Sequence, residues 1–303
     1  MHILQCPAQE FLHTGTVYNV TDVFFAAWCV GVNVFLHIVI GVEDDFYDAL
    51  LISPLDNVDT HSGIFSAGSP QQGKPVVFLL TAGPGTVGAV DDTFAAGNDA
   101  NVAALGECWK GGGQGCQNMA MVTLGTGIGG GIIVDGKMVT GAHGAGAEIG
   151  HMVLEPEETE FCGCGKQDCA EQYCSATGIV RVAKQVLASA PMDSSLRKMN
   201  TLTCKDVFDS AACADALALE ILERVYAYLG RFLANVCCVA DPDVIVLGGG
   251  VSKAGAPLLE GTMRYYQKYA FHACRGVKLV SACLGNDAGA YGAYKLILDA
   301  QTV

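Results

Sequence analysis

The sequence predicts an α/β fold. Three observations carry that expectation: short β-rich apolar runs alternate with helical patterns, glycine clusters sit at the ends of strands, and turn residues separate the segments. The elements follow in order from residue 94. Asn101 to Lys110 reads as a short helix, opened by Asn98-Asp99. Ala120 to Leu124 is a strand. Gly131 to Val134 and Lys137 to Thr140 form a hairpin turned at Asp135-Gly136, a dipeptide that accepts the backbone of a tight hairpin turn. Thr177 to Ala190 is helical. Ala211 to Val239 is read as one long helix, because Leu217, Ile221, Val225, Leu229, Phe232 and Val236 recur every three or four residues. Asp241-Pro242 ends it. Asp243 to Leu247 is a buried strand, followed by Gly248, Gly249 and Gly250. A helix (Pro257 to Tyr269), a strand (Val277 to Cys283) and a last helix (Ala288 to Leu298) complete the chain.

The chain has 303 residues and a formal net charge of −14. Such a surface repels phosphate backbones and anionic lipid, so nucleic acid and membrane are poor partners. Charge is unevenly spread. Residues 1–93 hold ten acidic residues and a single basic one, Lys74, together with seven of the twelve phenylalanines. Val23 to Val42 runs twenty residues without a charge, the length of a membrane span. Its flanks argue for buried strands instead: no Lys or Arg precedes it, Glu43, Asp44, Asp45 and Asp48 follow it, and Asn33 and His37 interrupt it. The same lack of a basic leader excludes a secretory signal, which places the chain in the cytoplasm and disfavours a disulfide framework for its 14 cysteines.

The strongest chemical pattern is Cys162-x-Cys164-x4-Cys169, with glycines at 163 and 165 and His151 eleven residues upstream. Three thiolates and an imidazole make a closed tetrahedral zinc site, structural because no position is left for water. Cys108, Cys204, Cys213, Cys237, Cys238, Cys274 and Cys283 read as packing residues. Gly125-Thr126-Gly127-Ile128-Gly129-Gly130-Gly131 follows a strand and matches G-x-G-x-x-G, but a hairpin rather than a helix comes next, which argues against a dinucleotide site. It remains a turn whose backbone N–H groups can approach phosphate. Gly248 to Gly250 is a second such turn, and two of them suit a nucleotide held between. Asp99 serves equally as a helix cap or as a catalytic residue. Glu148 and Glu171 bracket the metal loop, and carboxylates fixed there suit a polyhydroxylated ligand.

Residues 146–179 (GAEIGHMVLEPEETEFCGCGKQDCAEQYCSATGI), preceded by LGTGIGGGIIVDGKMVTG, resemble the ROK family of sugar kinases and regulators, its bacterial glucokinases above all. GNDANVAALGE at 97–107, VIVLGGGVSKAG at 244–255 and LGNDAGAYGA at 284–293 extend the likeness to about two thirds of the chain. The resemblance implies an actin-like ATPase (ribonuclease H-like) fold with two lobes around a cleft: a small lobe at 1–118, with 290–303 packing on it, and a large lobe at 119–289. It implies transfer of phosphate from MgATP to the 6-hydroxyl of glucose. Asp99 resembles the general base. Asn98, Asp99, Glu148, His151 and Glu171 resemble the sugar ligands, and His151, Cys162, Cys164 and Cys169 the zinc ligands. Gly125, Thr126 and Gly127 resemble the second phosphate loop, and Gly248, Gly249 and Gly250 the adenosine-side turn. Family members are often dimers or tetramers. Asp168 stands where the family usually has glycine.

The first ninety residues depart from the family. Its D-x-G-G-T phosphate turn is missing; His13-Thr14-Gly15-Thr16 is a poor echo, and Gly83-Pro84-Gly85-Thr86-Val87 only hints at the family's G-x-P-G-x-V. A reading-frame slip that rejoins near Phe94 accounts together for the lost basic residues, the excess phenylalanine and the unchanged length. The alternatives are a catalytically impaired sugar-binding zinc protein and a kinase for another hexose, such as N-acetylmannosamine or fructose. A DNA-binding repressor needs a basic helix-turn-helix that one lysine in 93 residues does not supply.

Overall fold

The computed structural model describes residues 36–42, 45–52, 62–68, 75–81 and 93–300. The chain divides into two compact units, Met1–Phe94 and Ala95–Val303. In the first, strands β1 (Leu36–Val42), β2 (Asp45–Ile52), β3 (Ser62–Gly68) and β4 (Pro75–Thr81) pair. β1 runs antiparallel to β2 and parallel to β3, and β3 is antiparallel to β4. The apolar run from Val23 thus ends in a strand; residues 23–35 lie outside the described residues, as do both echoes of family phosphate motifs, at 13–16 and 83–87. Among the described residues no helix is long and apolar enough to cross a membrane.

Strand β5 (Thr93–Asn98) leads into helix α1 (Asp99–Lys110), which Asn98 caps by accepting from the Ala100 N–H at 3.0 Å. The sheet of the second unit has the order β10-β9-β6-β7-β8, built from β6 (Met119–Leu124), β7 (Ile128–Val134), β8 (Lys137–Met138), β9 (Val244–Gly248) and β10 (Lys278–Ser281). β6 and β9 are parallel, as are β9 and β10, while β7 returns antiparallel to β6. The expected hairpin at Asp135-Gly136 is present, both residues at positive φ (50° and 72°). β7 starts three residues earlier than expected, because the turn at 125–127 is tight enough for Ile128 to pair with Leu124 at once.

Continuous apolar runs in β6 and β9 serve two faces. Met119, Met121, Val244 and Val246 pack with Ala104 and Leu105 of α1; Ala120, Val122, Leu124, Ile245 and Leu247 join the larger core on the opposite face. That larger core centres on α5 (Ala216–Ala240), whose Leu217, Ile221, Val225, Leu229, Phe232 and Val236 are all buried. Here the structure corrects the expected single helix. Residues 204–240 form two helices, α4 (Cys204–Ala212) and α5, separated by Ala214 at φ 62° and by Asp215, which caps α5 through the N–H groups of Leu217 and Ala218. The start of α4 is a capping box between Thr203 and Asp206. Helices α2 (Glu171–Cys174), α3 (Ala176–Ser189), α6 (Ala256–Tyr269) and α7 (Ala288–Ala300) complete the unit.

On the other face α7 lies along α1. A fully buried carboxylate, Glu107, ties the far end of α1 to the start of that region. It accepts from the Gly112 N–H at 2.7 Å, the Cys283 N–H at 3.2 Å and the Leu284 N–H at 2.8 Å. The packing assigned to all seven outlying cysteines needs correction: Cys213, Cys238 and Cys283 are exposed. They sit at a helix end, on the outer side of α5 and in a loop, where an apolar sequence context does not imply burial.

Candidate active site and metal centre

The candidate metal ligands come from three short pieces of irregular chain. A 3-10 turn, Ile149–His151, presents His151; a loop carries Cys162 and Cys164; Cys169 follows just before α2. An isolated bridge between Val153 and Cys169 closes the loop's stem. Within it the Cys162 N–H donates to Lys166 O at 2.7 Å and the Gly165 N–H to Cys162 O at 2.9 Å. One ligand atom from each of His151, Cys162, Cys164 and Cys169 lies within 4.8 Å of the others. The Cys164 and Cys169 sulfurs are 3.6 Å apart, and Cys162 Sγ is 3.8 Å from His151 Nδ1. A tetrahedron with Zn–S bonds of about 2.3 Å has S···S edges of about 3.8 Å, so the donor set and its spacing fit zinc. Burial pushes the Cys169 thiol up to about 12 and raises Cys162 as well. Any divalent ion bound here displaces those protons, so capture is linked to pH.

Asp168, where the resemblance expects glycine, has φ 71°, the left-handed region that favours glycine. The loop nonetheless keeps its course. Asp168 O accepts from the Leu154 N–H at 2.7 Å and Asp168 Oδ1 from the Glu158 N–H at 3.1 Å, contacts that offset the strain. The acidic stretch before the cysteines is likewise anchored. Arg181 pairs with Glu158 at 2.5 Å and Glu160 at 2.7 Å, Arg231 pairs with Glu155 at 3.0 Å, and the Tyr173 hydroxyl donates to Glu158. Burial alone would raise the Glu158 carboxyl; the Tyr173 hydroxyl, the Glu160 N–H and Arg181 outweigh it and hold it at about 2. Sequence reasoning missed Arg181 and Arg231. The run Glu155 to Glu160, four acids in six residues, was the available clue, since a packed acidic run needs cations.

The polar residues singled out from sequence are joined in a chain of contacts. Asn98 Nδ2 lies 3.5 Å from Glu148 Oε1, and Glu148 Oε2 lies 4.0 Å from His151 Nε2. His151 therefore turns Nδ1 to the sulfurs and Nε2 to the carboxylate. Cys162 Sγ is 3.5 Å from Glu171 Oε1, while Glu171 Oε2 accepts from the Ile128 N–H at 2.8 Å. Asn98, Glu148, His151 and Glu171 are half-buried; Asp99, the first residue of α1, is exposed.

The two glycine turns are neighbours. Thr123 pairs with Gly248 across parallel β6 and β9. Gly249, at φ 81°, backs onto Leu124 so closely that a Cβ there would stand 2.5 Å from Leu124 O. In the first turn the Gly125 N–H donates to Gly127 O at 3.0 Å, and Gly125 O and Thr126 O accept from the Ala176 N–H and the Thr177 hydroxyl at the start of α3. A groove of about 660 Å³ opens beside Thr126, with Ala176, Val180, Leu202 and Cys204 among its apolar lining and Thr177, Lys184, Gln185 and Thr203 among its polar lining.

Residues 88–300 match the family described as the ROK family. A glucokinase from Halalkalibacterium halodurans is 44% identical over 199 residues, which cover 64% of this chain and 60% of that one. An N-acetylmannosamine kinase from Escherichia coli is 32% identical over 267 residues, 83% of this chain and 84% of that one. Among solved structures, a ROK family glucokinase from Streptomyces griseus in complex with glucose and AMPPNP superimposes with a TM-score of 0.60 at 34% identity, covering 66% of each chain. The chain thus spans about 60% of the length of the first of these relatives. The shared fold is that of the actin-like ATPases.

Proposed function

The chain belongs to the ROK family, and from that premise we propose that it transfers the terminal phosphoryl group of MgATP to the 6-hydroxyl of glucose. The observation that carries the reading is the run of contacts Asn98–Glu148–His151–Cys162–Glu171–Ile128, which links an amide, two carboxylates and an imidazole to a glycine turn. Asp99, exposed at the start of α1, takes the proton of the attacking hydroxyl. A positioned base of this kind contributes roughly 10²–10⁴-fold. Asn98, Glu148, His151 and Glu171 hold the remaining hydroxyls and so fix the direction of attack.

His151, Cys162, Cys164 and Cys169 would hold zinc, which would supply rigidity to the loop; His151 turns Nδ1 to the sulfurs and keeps Nε2 on the side of Glu148, where a sugar hydroxyl can meet it. Because the Gly125 N–H is used within the turn and the Ile128 N–H by Glu171, the Thr126 and Gly127 amides are the donors left for phosphate. The groove beside Thr126, with its apolar lining, takes the nucleoside, and Gly248 to Gly250 flank the phosphate turn. Mg²⁺ bound with the nucleotide would supply charge neutralisation on its phosphates. We place the reaction in the cytoplasm, where ATP is supplied, and assign the chain to a homodimer or homotetramer, as in its family.

A coupled ADP-release assay with glucose, run beside calorimetric glucose binding, tests the reading. Asp99→Asn should lower kcat by roughly 10²–10⁴-fold while glucose still binds; unchanged turnover removes Asp99 from the mechanism. A second reading, a sugar-binding protein with little turnover, rests on one observation: residues 1–93 contain no D-x-G-G-T turn. Glucose binding without ADP release favours it. A panel of N-acetylmannosamine, fructose and glucose decides the sugar.

A further inference from the structure

We propose that Asn101 is a positioning residue that sets where Glu148 stands relative to Asp99 and thereby how tightly the hexose is held; the inference rests on the sugar-kinase reading above. Asn101 sits on α1 two residues beyond Asp99, 3% exposed, among apolar neighbours such as Val102, Ala104 and Leu105. Its Nδ2 donates to Gly146 O at 3.3 Å, two residues before Glu148. Its Oδ1 is buried and has no hydrogen-bond partner among the described residues. A buried amide with half its capacity unmet costs stability, and an apolar side chain would fill the same space without that cost. What the amide adds is a directional bond to the segment that carries Glu148.

That segment is under strain. Ala147, between Gly146 and Glu148, has φ 65°, a left-handed conformation that a residue with a Cβ adopts at a cost. The Gly146 N–H anchors the segment to Thr140 O at 2.8 Å, and contacts on both sides keep it in place. On one side is the Asn101 bond. On the other is β7, where Gly130 lies so close that any Cβ would overlap Ala147 O and the Ile149 side chain. The flanking Gly129 lets α1 approach the same strand, since a Cβ there would stand 2.9 Å from Ala100 Cβ. α1, β7 and residues 146–149 are therefore packed backbone to backbone. From α1 the segment is met at two points, Asn98 Nδ2 at 3.5 Å from Glu148 Oε1 and Asn101 Nδ2 at 3.3 Å from Gly146 O, and the second of these acts on the backbone that carries the carboxylate.

Two variants test this in the full-length, zinc-loaded chain. Asn101→Asp keeps the shape and removes the donor. Ala147→Gly removes no contact but lets the strained residue relax, so stability is kept or improved while Glu148 is held less firmly. Each is expected to weaken glucose binding by about tenfold, read as calorimetric Kd and as KM, with the KM for ATP within about twofold of the parent, as for loss of a supporting contact. Glucose affinity unchanged in Ala147→Gly, or glucose and ATP constants rising together in a folded variant, overturns the proposal. Should Asn101→Asp fail to fold, Ala147→Gly alone decides. A parent chain that binds no hexose fails the sugar-kinase reading instead, a result distinct from binding that the variants leave untouched.

Discussion

The carboxylate of Glu171 accepts a 2.8 Å hydrogen bond from the backbone N–H of Ile128, the residue that follows the Gly125-Thr126-Gly127 turn. Its other oxygen lies 3.5 Å from Cys162 Sγ. One side chain thus spans the metal centre and the glycine turn, and a Cβ on Gly127 would collide with it. Glu171→Gln should therefore raise the KM for both glucose and ATP, each by roughly tenfold, the scale of a lost charge-assisted hydrogen bond. Glu148→Gln, remote from the turn in this contact chain, should change the glucose constant alone. Steady-state kinetics with each substrate varied in turn checks both; an ATP constant untouched by Glu171→Gln would separate the two halves of the site.

Zinc content is the next prediction. Metal analysis of the purified chain should return about one zinc per chain, and Cys164→Ser should reduce it below half, with a lower thermal midpoint and weaker glucose binding. Because burial raises the Cys162 and Cys169 thiols, protons compete with the ion, and zinc affinity should fall steadily as pH is lowered. Zinc affinity independent of pH would argue against ligation by these thiols.

Acid stability should depend on Asp215. Burial alone would raise its carboxyl, but the Ser195 and Ala218 N–H groups and the Ser194 and Ser195 hydroxyls outweigh burial and hold it at about 2. The unfolded value is about 3.9, so the folded state favours the carboxylate. Its contribution is fully present above about pH 4 and is lost as pH falls through about 2. Thermal midpoints measured across that window should drop more steeply for the parent than for Asp215→Asn, which keeps an acceptor for the cap but loses the charge on its bonds from Ser194 and Ser195 and so should be less stable at neutral pH by about 1 kcal/mol. Parallel curves would show that Asp215 does not titrate with folding.

The gene offers a further test. Translating the other two frames upstream of the Asn98 codon should reveal D-x-G-G-T, followed by a lysine- and arginine-containing segment of about the same length. Neither frame containing it would refute a frame slip and would leave residues 1–93 as the true sequence.

Where the pattern is local, the chain reads directly from its sequence. The Cys162–Cys169 spacing, the Asp135-Gly136 turn and the α5 periodicity all translate into the observed elements, because each depends on neighbours within a few residues. The gap between α4 and α5 was hidden because Ala211, Ala212, Ala214 and Ala216 are good helix formers, and only Asp215 marks the cap; the Thr203-x-x-Asp206 box was the missed sign of α4. Asn101, Glu107 and Arg181 were missed for another reason. Partners of theirs lie 45, 176 and 23 residues away, and only for Arg181 did the sequence hold a clue, in the acidic run that needs a cation.

Glu107 fixes one end of α1 through three backbone donors, while Asn101 and the bare strand β7 fix the other. The helix that bears Asp99 is thereby a strut, with no slack in its own anchorage and with α7 laid along its length. A substitution at Glu107, at the opposite end of the helix from the polar cluster, should therefore disturb the orientation of Asp99 without touching it.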